Sequence, residues 1–119
     1  MAKKYLHWGK STSIDLFGCD LKLISKPQPI KKFVSGIIKK INMTAHGPCY
    51  IERFGQGNLE GLSAMQFIET SSITVHCDEP QCRAFIDIFS CKDFDEKKAQ
   101  KFAVSYFKAK TSKAKTTYR

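Results

Sequence analysis

The chain has 119 residues, 42% of them hydrophobic, and a formal net charge of +9. That is one domain's worth of chain, enough for a core yet small enough to gain from oligomerisation, and no apolar run approaches the roughly 18 residues a bilayer crossing needs. The charge invites a nucleic-acid reading, but 17 of the 20 basic residues are lysine. Only Arg53, Arg83 and Arg119 offer the bidentate fork that reads bases and phosphates well, so no nucleic-acid partner is expected.

The start, MAKKYLHWGK, lacks the apolar stretch of a signal peptide. Five cysteines (Cys19, Cys49, Cys77, Cys82, Cys91) at irregular spacings suit free thiols in a reducing compartment. A cytoplasmic location is therefore expected.

Residues 12 to 17 alternate apolar and polar side chains and predict a first strand. In PQPIKKFVSGIIKKINM, the residues Ile30, Phe33, Val34, Ile37 and Ile41 follow a helical period. Pro27 and Pro29 suit the helix start, and Lys31, Lys32, Lys39 and Lys40 take the wet face. A second strand is predicted from Cys49 to Phe54, followed by the loop GQGNLEG. Its glycines suggest a phosphate cradle, but no Lys-Ser/Thr pair and no helix follow, so the motif fails its context test.

Residues 62 to 76 predict a third strand, or a strand with a break, and Arg83 to Ser90 a fourth. A last helix starts near Asp93 or Asp95 and places Ala99, Phe102, Ala103 and Tyr106 on one face. Residues 110 to 119 read as a solvated, partly disordered Lys-rich tail outside a single domain of residues 1 to 109. The order predicts an α+β fold, an antiparallel four-stranded sheet with two helices packed on one face. Its other face is left for a second copy, so a homodimer is expected.

The segment ETSSITVHCDEP, residues 69 to 80, is unusually rich in hydroxyls for a strand. Either it is an exposed edge where hydroxyls are harmless, or the hydroxyls react. Strict alternation would put Met65, Phe67, Glu69, Ser71, Ile73 and Val75 on one side, carrying Glu69 and Ser71 inward. A thiol, an imidazole and several hydroxyls could then converge at adjacent strand ends, an arrangement compatible with nucleophilic or acid-base chemistry.

The stretch GLSAMQFIETSSITVHCDEPQCRAFIDIFSC resembles the central region of the bacterial S-adenosylmethionine decarboxylase proenzymes, a pyruvoyl-dependent family. With His76 set on the family's histidine, Gly61-Leu62-Ser63 falls on its Gly-Val-Ser and Ser71 on its self-cleaving serine. The run from Ile86 to Cys91 falls on its VDIFTC. SIDLFGCD looks like the family's first strand, so the resemblance covers about residues 10 to 109.

The resemblance implies that Ser71 attacks the carbonyl of Thr70 and that His76 removes the Ser71 α-proton, with Ser63 assisting. The backbone would part between Thr70 and Ser71 into a β chain, 1 to 70, and an α chain, 71 to 119, that begins with a pyruvoyl group derived from Ser71. That group would form a Schiff base with the substrate amine and act as an electron sink, while Cys91 reprotonates the substrate α-carbon. Phe54 would stack on adenine and Glu79 would hold the ribose hydroxyls. The family's active site lies near its dimer interface.

Three departures stand out: Thr70 replaces the usual Glu before the serine, Cys77-Asp78-Glu79-Pro80 replaces Thr-Trp-Pro-Glu, and GQGNLEG lengthens its loop. The expected substrate is a small amine, S-adenosylmethionine first, feeding spermidine synthesis. Ornithine or arginine decarboxylation and an unprocessed regulatory or binding paralogue are the alternatives. Cys19, Cys49 and Cys82 read as small core residues, and His7 and His46 as surface histidines. His76, Cys77, Cys82 and Cys91 fit zinc spacing poorly, so no metal is expected. Asp87 is inward by alternation, as hydrogen-bonded core or as part of the site.

Overall fold

The structure, a computed structural model, describes residues 7 to 119. Its elements are β1 (Lys10–Phe17), α1 (Leu21–Ile24), α2 (Pro27–Lys40), β2 (Ala45–Phe54), a 3-10 turn (Gly57–Leu59), β3 (Gly61–Ile68), β4 (Ser71–Asp78), β5 (Arg83–Ser90), α3 (Glu96–Phe107) and β6 (Thr111–Tyr118). The strands form one sheet in the order β2-β3-β4-β5-β1-β6, with every neighbouring pair antiparallel.

Helix α2 begins with Pro27 at its first turn, where a missing N–H leaves nothing unsatisfied. Helix α3 begins at Asp95, whose carboxylate accepts from the N–H groups of Lys97 and Lys98. Their apolar stripes meet one face of the sheet. Ile30, Phe33, Val34 and Ile37 from α2 and Ala99, Ala103 and Phe107 from α3 are buried with Ile14, Leu16, Ile73, Val75, Ile86 and Ile88. Phe33 packs on Phe107 with ring centroids 4.5 Å apart. Gly36 allows the helices this approach, because a Cβ there would lie 2.6 Å from the Phe102 ring.

The α+β class, the helix layer and the antiparallel pairing stand, but the sheet has six strands rather than four. Residues 62 to 76 divide into β3 and β4 at a turn over Glu69 and Thr70, so the single-strand alternation is corrected. Met65 and Phe67 lie on the helix-free face, while Ile73 and Val75 lie under the helices. The turn is held by the Glu69 N–H donating to the Thr44 carbonyl at 3.0 Å.

The Lys-rich tail is the second difference. Thr111 to Tyr118 pairs along the whole of β1, from Phe17↔Thr111 to Lys10↔Tyr118. TSKAKTTY has almost no apolar residue to announce a strand, and its lysines suit a sheet edge, where charge blocks further pairing. Asp87 is exposed on the helix-free face, paired with Thr74, and is not inward. Among the described residues no helix is long and apolar enough to cross a membrane.

Candidate active site

The hydroxyl-rich strand β4 carries two separate clusters. Toward its C-terminal end, His76 pairs with Ser63 of β3, and Ser63 Oγ lies 2.9 Å from His76 Nδ1. Both face away from the helices. They open into a cavity of about 570 Å³ whose apolar wall is Tyr50, Phe54 and Met65 and whose polar groups are Glu52, Ser63, Thr74 and His76.

At the start of β4, Ser71 pairs with Ser90 of β5, and its hydroxyl donates to Ser90 Oγ at 2.5 Å. Ser90 is fully buried and its Oγ also accepts the Lys92 N–H at 2.9 Å. Thr70 has φ +61°, in the left-handed region that a β-branched residue adopts only under strain. Its carbonyl accepts the backbone N–H of Cys91 at 3.4 Å, and its own hydroxyl donates to the Glu69 carbonyl at 2.5 Å. Thr70, Ser71, Ser90 and Cys91 thus form one cluster around a single peptide bond.

The two clusters do not meet within one chain. Ser71 and His76 stand on opposite faces of β4, and five residues of extended chain span about 17 Å. The convergence expected from sequence is therefore not made by a single copy.

Cys91 is partly exposed and lines a second cavity with Trp8, Lys10, Lys92 and Tyr118. The Lys10 ammonium lies 3.0 Å from Asp93 Oδ1 and 2.5 Å from Glu96 Oε2, which ties the segment after Cys91 to β1. Burial acts to lower the Lys10 pKa, but the bonds and charges of Glu96 and Asp93 outweigh it and leave it raised. Burial, with a neighbouring thiol, pushes Cys19 up to about 11 and Cys77 up to about 12, so both stay protonated and unreactive.

Phe54 lines the cavity beside His76, and Glu79 does not. Its carboxylate is held by Arg53 at 2.5 Å, and Arg53 also binds Glu60 at 3.1 Å and the Ser25 carbonyl at 3.1 Å. Sequence reasoning missed Ser90, Glu52 and Lys10. Ser90 shares the buried parity of Ile86 and Ile88 and so reads as core. Only its place before Cys91 hints at more.

Comparison with known proteins adds a family. The model described as S-adenosylmethionine decarboxylase matches residues 10 to 119. The chain belongs to this family. An S-adenosylmethionine decarboxylase proenzyme of Archaeoglobus fulgidus is 27% identical over 101 residues, spanning 84% of this chain and 87% of that protein. The crystal structure of the adenosylmethionine decarboxylase from Aquifex aeolicus superposes with a TM-score of 0.81 at 19% identity, covering 95% of this chain and 91% of that one. At that identity the likeness establishes the shared fold. The match to the S-adenosylmethionine decarboxylase family runs through the sixth strand to residue 119.

Proposed function

We propose that this chain is a self-processing, pyruvoyl-dependent S-adenosylmethionine decarboxylase. The observation that carries the reading is the strained Thr70 at φ +61° directly before Ser71, with its carbonyl on the Cys91 N–H. Ser71 Oγ attacks that carbonyl carbon; the peptide C–N bond breaks, an ester C–O bond forms, and the Ser71 amine is freed. The Cys91 N–H stabilises the oxygen charge that builds up. Loss of the Ser71 α-proton then expels Thr70 as a carboxylate, and water displaces ammonia from the remaining α-carbon to leave the pyruvoyl group.

These residues fit the group they would generate: a serine at a strained turn, partly exposed, with a buried hydroxyl partner in Ser90. When present, the pyruvoyl group supplies the electron sink for loss of carbon dioxide. Cys91, bonded to the same turn, is the proton donor to the substrate α-carbon.

The proton acceptor of processing is the partner's His76, held by the partner's Ser63. The separation of the two clusters supports a site completed by a second copy. So does the apolar surface on the helix-free face, where Tyr50 (56% exposed), Phe54 (56%) and Phe67 (53%) await cover. The enzyme is thus read as a homodimer, acting in the cytoplasm.

Intact mass of freshly purified protein, beside Ser71→Ala, tests the reading. Two fragments parting after Thr70, the second with a pyruvoyl terminus, are expected from the wild type and one chain from the variant. An uncut wild-type chain persisting for days overturns it and leaves a regulatory or binding paralogue. Decarboxylation of ornithine or arginine is the second reading, favoured by the Arg53–Glu79 ion pair, which withdraws the carboxylate expected for ribose. A substrate panel on the cleaved protein separates the two.

A further inference from the structure

Several acids near the cavity are engaged by arginines, whereas Glu52, the acid in its lining, is not. Glu60 and Glu79 bind Arg53, and Asp78 binds Arg83 at 2.6 Å. Glu52 has no ion-pair partner among the described residues, although the chain carries 20 basic side chains. It is the one acid lining the cavity. Its register partner across β2 and β3 is Ser63, whose hydroxyl bonds His76.

On the same strand face, Tyr50 and Phe54 flank it two residues to either side. Both rings are themselves more than half exposed, so the three side chains lie open together, and screening of the carboxylate's charge weakens only once a ligand covers the site. A lone carboxylate between apolar walls selects a cation.

We propose that Glu52 is a specificity-determining residue that reads the positive charge of the substrate, the sulfonium centre of S-adenosylmethionine. This rests on the substrate reading above. It assigns to Glu52 the electrostatic part of recognition that Glu79, held by Arg53, does not supply.

The test compares the KM for S-adenosylmethionine with the inhibition constant of the neutral thioether S-adenosylhomocysteine, in cleaved wild type, Glu52→Gln and Glu52→Asp. Glu52→Gln keeps the shape and loses the charge. It is expected to raise the KM by about two- to fivefold, the order of one exposed ion pair, and to leave the thioether constant unchanged. Glu52→Asp restores part of the loss.

A parallel rise for both compounds overturns the proposal, because Glu52 would then be reading the ribose or the shape. No change for either overturns it as well. Failure of Glu52→Gln to cleave also overturns it, by making Glu52 a processing residue. A cleaved wild type inert toward S-adenosylmethionine overturns the substrate reading and this proposal together, a result distinct from the other three.

Discussion

Ser71 and His76, five residues apart on β4, face opposite sides of the sheet, Ser71 toward the helices and His76 toward the open face. The proposed nucleophile and the imidazole proposed to take its α-proton therefore do not meet within one copy, and the proposed homodimer would supply them from different copies. Ser71→Ala and His76→Ala are each expected to remain uncut alone. Co-expressed, they form mixed dimers in which the intact Ser71 of one chain meets the intact His76 of the other, and the His76→Ala chain is cleaved. Fragment analysis by mass checks this; no cleavage in the mixture counts against a shared site.

Ser90 holds the hydroxyl of Ser71, the proposed nucleophile. Its Oγ accepts from Ser71 at 2.5 Å and is itself fixed by the Lys92 N–H. Ser90→Ala removes one hydrogen bond worth about 1 kcal/mol, so cleavage should slow by roughly five- to tenfold. A time course of fragment formation reads the effect, with the overall fold intact by circular dichroism.

Thr70 has φ +61°, and the proposed acyl shift would release the strain held there. Glycine adopts that backbone freely. Thr70→Gly is expected to relieve about 1–3 kcal/mol of precursor strain and to slow cleavage by about five- to a hundredfold. Thr70→Asn, which tolerates the left-handed region better than threonine, should fall between. Cleavage of Thr70→Gly at the wild-type rate would remove strain from the mechanism.

The Lys10 latch sets an acid limit on stability. Its hydrogen bond and charge hold Asp93 below the usual carboxylate range, and Glu96 likewise. Carboxylates with lowered folded-state pKa contribute stability that is present above their unfolded value, about 4, and is lost as pH falls through the folded value. Lys10→Met should be less stable than wild type at pH 7, and the difference should shrink as pH falls below about 4. Denaturation midpoints across that range measure it.

Thiol chemistry separates the cysteines. Burial holds Cys19 and Cys77 protonated well above neutral pH, whereas Cys91 is partly exposed beside the turn. Alkylation of the native precursor at pH 8 should modify Cys91 before either buried thiol. Peptide mapping gives the order.

Much of this molecule is legible along the chain because its signals are local. The helical period in α2, the capping Asp95, and the alternation in β1 and β5 depend on near neighbours, and all appear where the sequence predicts them. The break between β3 and β4 was only half legible. Without the Glu69–Thr44 backbone bond, nothing in residues 62 to 76 says that parity changes at the turn. Strand β6 was illegible, since its partner β1 lies a hundred residues away and supplies the apolar side of the pairing.

The sequence by itself determined the family resemblance, the helix-covered antiparallel sheet and the reactive residue types, because motif spacing and hydrophobic period are written in order along the chain. Only the tertiary structure decided which of those residues meet. Strand register joins Ser63 to His76 and Ser71 to Ser90, and it sends the two pairs to opposite faces. Arg53 draws Glu79 away from the cavity and leaves Glu52 there alone, an outcome set by charges brought together from β2 and the turn after β4.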